Sequence, residues 1–91
     1  MFRSAKNLTP LDFATELSAM QAKTRISWYR MSDFSGIDRA YLSRLKNGQA
    51  TNPSVNTVFR LSYALTKDGA ERYDLDRLLI SAGYHPVFEV T

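Results

Sequence analysis

The sequence contains no cysteine in its 91 residues, and only four glycines and three prolines. The lack of cysteine excludes disulfides, thiolate metal sites and a cysteine nucleophile. No apolar run approaches the roughly 20 residues of a membrane-spanning helix, and no signal-peptide pattern opens the chain. Hydrophobic residues make up 44% and charged residues 23% of the sequence, a balance typical of globular proteins. These features predict one small cytoplasmic domain that does not contact a membrane.

Patterns that indicate catalysis are also missing. The sequence has no Ser/His/Asp arrangement, no metal-ligand spacing and no phosphate-cradling glycine loop, and a short helical chain offers little room for a pocket. The one histidine, His85, stands beside a proline and has no partner in the sequence. We therefore expect no enzymatic activity, no cofactor and no metal.

Basic charge is concentrated in one quarter of the chain. Residues 23–46 contain six basic and two acidic side chains, a net charge of +4, while the rest of the chain sums to −1. Such a concentration indicates either a solvated basic face or a surface that binds phosphates. The basic residues are Lys23, Arg25, Arg30, Arg39, Arg44 and Lys46.

Helical patterns begin after a short N-terminal segment. Residues 1–8 show no periodicity and predict a flexible arm. Thr9 predicts a helix cap, with Pro10 at the first helical position and Asp12 as a capping-box acid. Apolar residues at helical spacing extend this first helix to about Lys23.

Two short helices joined by a tight turn are predicted next. Ser27 caps the second helix, and Gly36 ends it in a left-handed conformation. Asp38 caps the third helix, and Gly48 ends that helix. The residues expected to point inward are Met31, Ile37, Leu42 and Leu45.

The remaining pattern adds two helices and a tail. Ser54 caps the fourth helix, and the fifth covers about Leu75 to Ala82 with Gly83 as its stop. The tail, residues 85–91, suits extended structure better than a helix and is a possible dimer contact. The predicted fold is all-α, a compact five-helix bundle with a short extended C-terminal tail. The fourth helix repeats its apolar residues at helical spacing: Val58, Leu61 and Leu65.

The run Met31–Gly48, MSDFSGIDRAYLSRLKNG, resembles the lambda-repressor-like helix-turn-helix domains, also called the Xre or Cro/CI family. Their usual pattern is Leu-Ala-x-x-x-Gly-Ile-Ser-x-x-x-Leu-Ser-x-Ile/Leu-Glu-x-Gly. Asn52–Ser54 resembles the family's entry to the fourth helix, and Leu78–Pro86 resembles its last helix. This resemblance implies a DNA-binding domain over residues 9–84, with helices 2 and 3 as the helix-turn-helix.

Three residues depart from the family pattern. Ser32 replaces a usual alanine, which close packing tolerates. Lys46 replaces a common glutamate and so places positive charge near DNA. Trp28 stands where many members have a glutamine that braces the recognition helix and contacts phosphate.

The third helix carries the candidate base contacts. The positions opposite its apolar stripe are Arg39, Ala40, Ser43 and Arg44, and the resemblance implies base contacts for the first two and the last. Arginine can bond to both O6 and N7 of guanine, whereas alanine offers only a methyl contact to thymine. The alternative is that both arginines bind phosphate without reading sequence.

Candidate phosphate contacts surround these positions. The start of helix 2 is an anion site because its free backbone amides and Ser27 lie there. Tyr41 either packs at the rim of the core or donates its hydroxyl to phosphate, and Trp28 either packs or contacts the sugar-phosphate backbone. Asp38 is assigned to capping alone, since a carboxylate repels phosphate. The complete set of candidates is Ser27, Trp28, Tyr41, Lys46, Asn47, Gln49 and Asn52.

These expectations favour a sequence-specific regulator of transcription, most simply a repressor, that binds double-stranded DNA as a homodimer. An alternative on the same fold is an antitoxin that binds a toxin and represses its own operon, which co-purification of a second chain would reveal. A further alternative is an interaction module that does not bind DNA. Arg3 and Lys6 either belong to a mobile terminus or enter the minor groove.

Overall fold

Five helices follow one another in the computed structural model, which describes residues 12–66 and 72–87. The described residues contain no strand and pack into a compact unit. The prediction that the fold is all-α is therefore confirmed. No helix in these two ranges is long and apolar enough to cross a membrane. The helices are α1 (Phe13–Thr24), α2 (Trp28–Ser35), α3 (Arg39–Lys46), α4 (Val55–Thr66) and α5 (Arg72–Ser81).

The start of α1 differs from the sequence prediction. Asp12 caps α1: its backbone is extended, and its Oδ1 accepts a hydrogen bond of 2.8 Å from the backbone N–H of Thr15. Thr9, the predicted cap, lies outside the described residues. The hydrogen bonds from Thr15 also lower the pKa of the Asp12 carboxyl group. A carboxylate before Phe13 thus satisfies an otherwise free amide, which is the role predicted for Thr9.

The C-terminal helix is longer than predicted. It begins at Arg72 instead of Leu75, and the chain leaves it at Gly83, whose φ of 93° allows the left-handed stop that the sequence predicted. Residues 84–87 are not helical. The predicted arm over residues 1–8 and the tail positions 88–91 lie outside the described residues.

One apolar core joins all five helices. Leu17, Leu45, Leu61 and Leu78 are completely buried, and they come from four different helices. Met31 of α2 is equally buried. The inward residues predicted from periodicity are therefore confirmed, since the following are all buried: Met31, Ile37, Leu42, Leu45, Val58, Leu61 and Leu65.

Two ion pairs tie α1 to α5. The buried carboxylate of Glu16 accepts hydrogen bonds from Arg77 at 3.0 and 3.3 Å, and the buried carboxylate of Asp74 accepts two from Lys23 at 2.8 and 3.1 Å. Both carboxylates need such partners because an unpaired buried charge is strongly unfavourable. Lys23 therefore neutralises a structural acid and does not belong with the basic surface that its position in the sequence suggested.

Arg25, which follows α1, has an unfavourable backbone conformation. Among the described residues other than glycine, Arg25 is the one with a positive φ, which is 62°. Its backbone N–H donates to the carbonyl oxygen of Gln21. A side chain in this left-handed region costs about 1–2 kcal/mol, which glycine avoids.

Replacing Arg25 with glycine is therefore expected to stabilise the fold. Part of the gain is offset by the greater freedom of glycine in the unfolded chain. We expect a net increase of about 0.5–1 kcal/mol in the free energy of unfolding, measured by urea denaturation. Arg25→Ala is the matched control because it removes the charge but keeps the Cβ atom; equal stability of the two variants would contradict the explanation.

Candidate nucleic-acid interface

A tight turn fixes the relation between α2 and α3. Gly36 has a φ of 72°, and its N–H donates to the carbonyl oxygen of Ser32. The hydroxyl of Ser32 donates to the carbonyl oxygen of Ile37, while the N–H of Ile37 donates to the hydroxyl of Ser35. Both serines and Ile37 are buried. This network satisfies the polar groups of the turn and holds the start of α3 against the end of α2.

The caps of both helices are those predicted from the sequence. The Ser27 hydroxyl accepts from the backbone N–H of Arg30 at 3.1 Å. The Asp38 carboxylate accepts from the backbone N–H groups of Ala40 and Tyr41 at 3.0 and 3.3 Å. Asp38 therefore uses its charge at the start of α3, where a negative group is favourable.

Helix α3 has one buried and one exposed side. Leu42 and Leu45 point into the core. The four candidate base-contact residues are all exposed, and the amide of Asn47 lies 3.4 Å from the hydroxyl of Ser43 on the same surface. The residues brought together on the exposed side are Arg39, Ala40, Ser43 and Arg44.

Every basic side chain of α2 and α3 lies over an aromatic ring. The guanidinium carbon of Arg39 is 4.2 Å from the ring centroid of Tyr29, and that of Arg44 is 5.5 Å from the centroid of Tyr41. The other two contacts are Lys46 over Trp28 at 5.0 Å and Arg30 over Phe34 at 5.2 Å. Such contacts attract a cation to the face of the ring.

These four cations keep their charge available to an outside anion. In residues 12–66 and 72–87, the ion pairs join α1 to α5 and include none of the basic residues of α2 or α3. A carboxylate partner would cancel most of the charge and occupy the N–H donors. An aromatic ring restricts the movement of the basic side chain that it contacts but does not neutralise its charge. The surface therefore keeps a net positive charge.

A groove runs between the start of α2 and the exposed side of α3. Its volume is about 160 Å³, and its walls combine rings, an apolar floor and polar rim groups. The residues that line it are Trp28, Tyr29, Arg39, Leu42, Ser43 and Lys46.

The candidate phosphate contacts fall into two groups. Trp28 and Tyr41 are partly buried and pack against the core, and the rest of each side chain lies at the surface, where a phosphate contact is still open to it. The remaining candidates are exposed around α2, α3 and the loop that follows α3: Ser27, Lys46, Asn47, Gln49 and Asn52. The backbone N–H of Gln49 is already bonded to the carbonyl oxygen of Arg44, so only its side chain is available to a ligand.

Sequence reasoning missed the aromatic partners of the arginines. Tyr41 and Arg44 are three residues apart on one helix, a spacing that predicts contact. Tyr29 and Arg39 are on different helices, and no local spacing indicates their contact. Tyr29 is 59% exposed, so burial patterns do not single it out either.

No family model, curated protein or solved structure matches the chain. The described residues contain no cluster of three or more side chains suited to a metal ion.

Proposed function

We propose that this protein is a small regulator of transcription that binds double-stranded DNA through a lambda-repressor-like helix-turn-helix formed by α2 and α3. The observation that carries the proposal is the exposed side of α3, where cations that contact rings and not carboxylates surround the small residues Ala40 and Ser43. A surface of this kind attracts a polyanion, and the resemblance of Met31–Gly48 to the family supports DNA as that polyanion.

The cross-section of α3 suits the major groove. An α-helix with its side chains is about 10–12 Å in diameter, and the major groove of B-DNA is about 12 Å wide and admits one helix. Small side chains at Ala40 and Ser43 allow the backbone of α3 to approach the bases. In the proposed complex, this exposed side faces the base edges and the start of α2 faces the phosphates.

Base recognition is assigned to the exposed side of α3. Arg39 and Arg44 each present the planar donors that match O6 and N7 of guanine. Ala40 offers a methyl contact to thymine, and Ser43 offers a hydroxyl that can donate or accept. The two arginines therefore carry most of the proposed sequence preference.

Phosphate binding is assigned to the rim. The free amides at the start of α2 and the Ser27 hydroxyl form an anion site, and Lys46 adds a point charge at the end of α3. The side chains of the loop after α3 extend this surface. The proposed phosphate contacts are Ser27, Trp28, Tyr41, Lys46, Asn47, Gln49 and Asn52.

The proposed active form is a homodimer on a near-palindromic operator. Two copies related by a two-fold axis would place their recognition helices about 34 Å apart, one turn of DNA. Repression would then follow most simply from occupation of a promoter.

The salt dependence of binding to duplex DNA of random sequence tests the phosphate contacts. We expect the affinity to fall steeply with salt, because each neutralised phosphate releases counterions. Lys46→Ala should weaken binding to all sequences alike and reduce the slope of log K against log salt by about one per protomer.

Arg60→Ala is the matched control, because Arg60 is an exposed cation of α4 and no base or phosphate contact is assigned to it. It removes the same charge and should leave the slope nearly unchanged. Equal slopes for wild type and Lys46→Ala would remove Lys46 from the interface. Absence of binding at low salt would contradict the proposed function.

A further inference from the structure

Tyr29 is an exposed ring whose contact with Arg39 needs an explanation. A tyrosine that is 59% exposed contributes little to the core, and its neighbour Trp28 is the residue that packs there. The described residues provide no hydrogen-bond partner for the Tyr29 hydroxyl group. The ring contacts Arg39 across the gap between two helices, and its distance of 4.2 Å is the shortest of the four cation–ring contacts of α2 and α3.

Within the described residues, the contact with the ring leaves the N–H donors of the Arg39 guanidinium group without an acceptor oxygen. Arginine has five N–H donors that lie in the plane of the group. The Tyr29 ring attracts the group through its positive charge, and because the face of the ring has no acceptor oxygen, the N–H donors stay available to a base. A carboxylate in the same place would bond to those donors and compete with a base.

We propose that Tyr29 is a positioning residue that holds Arg39 in the orientation required to read guanine. This inference rests on the proposed function, because it explains how one arginine, Arg39, comes to prefer guanine in the proposed complex. Holding a flexible side chain before binding reduces the entropy that is lost when it bonds to the base. Tyr29 thereby affects discrimination between bases without touching a base itself.

The contact of Arg44 with Tyr41 is a weaker candidate for the same role. Its distance is longer, 5.5 Å, and both residues lie on α3. Tyr41 also packs against the core, so its replacement would change the fold as well as the arginine. Tyr29 permits a cleaner experiment because its ring is largely in solvent.

The test compares Tyr29→Leu with Tyr29→Phe. The first removes the ring face, and the second keeps the ring and loses only the hydroxyl group. The first readout needs no DNA: in the NMR spectrum, the Nε–Hε signal of Arg39, identified by its disappearance in Arg39→Lys, should show a ring-current shift. We expect Tyr29→Phe to retain that shift and Tyr29→Leu to lose it.

The second readout is guanine discrimination, measured as the ratio of affinities for a selected DNA site and for the same site with the contacted guanine replaced. Tyr29→Leu should lower this ratio about two- to five-fold, the size of an exposed cation–ring contact. Tyr29→Phe should restore the wild-type ratio. Affinity for random DNA should change less than the ratio, and thermal unfolding should stay close to wild type.

The outcomes separate the inference from the function on which it rests. A base preference that Tyr29→Leu leaves unchanged overturns the inference alone, as does an Arg39 signal that is insensitive to the ring. A wild-type protein that binds all sequences equally overturns both the proposed base readout and the inference. Loss of discrimination in Tyr29→Leu with rescue in Tyr29→Phe supports both.

Discussion

Replacing Arg39 or Arg44 with alanine is expected to reduce affinity for the preferred DNA site about 5- to 150-fold for each arginine–guanine pair that the substitution removes. This range corresponds to about 1–3 kcal/mol for one bidentate pair. Both side chains are exposed, and neither forms a salt bridge within the described chain. Their removal should therefore change binding and not folding, which circular dichroism can confirm before binding is measured.

Lysine at the same positions separates base recognition from phosphate attraction. Arg39→Lys and Arg44→Lys keep the positive charge but lose the planar pair of donors. We expect the lysine variants to bind random DNA almost as well as wild type and to lose preference for guanine at one position of each half-site. Lysine variants that keep the full preference would show that the arginines contact only phosphate.

Replacing Leu45 with alanine is expected to reduce the free energy of unfolding by about 2–5 kcal/mol. Leu45 is completely buried and attaches the inner side of α3 to the core. A small domain has only about 5–15 kcal/mol of total stability. The loss should therefore be visible in both urea and thermal unfolding.

Two controls restrict the interpretation of the Leu45 experiment. Leu45→Met nearly conserves volume and should cost less than about 1.5 kcal/mol. Ser43→Ala changes the exposed side of the same helix and should stay within about 0.5 kcal/mol. A loss below about 1 kcal/mol for Leu45→Ala would contradict the assignment of Leu45 to the core.

Local signals predicted the frame of the candidate site correctly. The caps at Ser27 and Asp38 and the left-handed Gly36 each depend on residues within one helical turn, so the sequence contains the information needed. The start of α1 was predicted wrongly although it is also local. The pattern predicts Thr9 as the cap and Asp12 as a capping-box acid within the first turn, whereas Asp12 itself is the cap.

Long-range contacts could not be predicted from spacing. Glu16 and Arg77 are 61 residues apart in the chain, and their ion pair depends on how α1 packs against α5. The contact between Tyr29 and Arg39 depends in the same way on how α2 meets α3. For the same reason, the sequence places Lys23 with the basic surface, because nothing near it in the chain indicates its partner Asp74.

In vitro selection of duplexes from a random pool tests most directly the central claim, that the exposed side of α3 reads DNA sequence. Wild type is predicted to enrich a near-palindrome with a guanine in each half-site and half-sites about one helical turn apart. The double variant Arg39→Lys/Arg44→Lys should lose that guanine preference. A wild-type selection without any enriched sequence, or the same enriched site with the double variant, would contradict the claim.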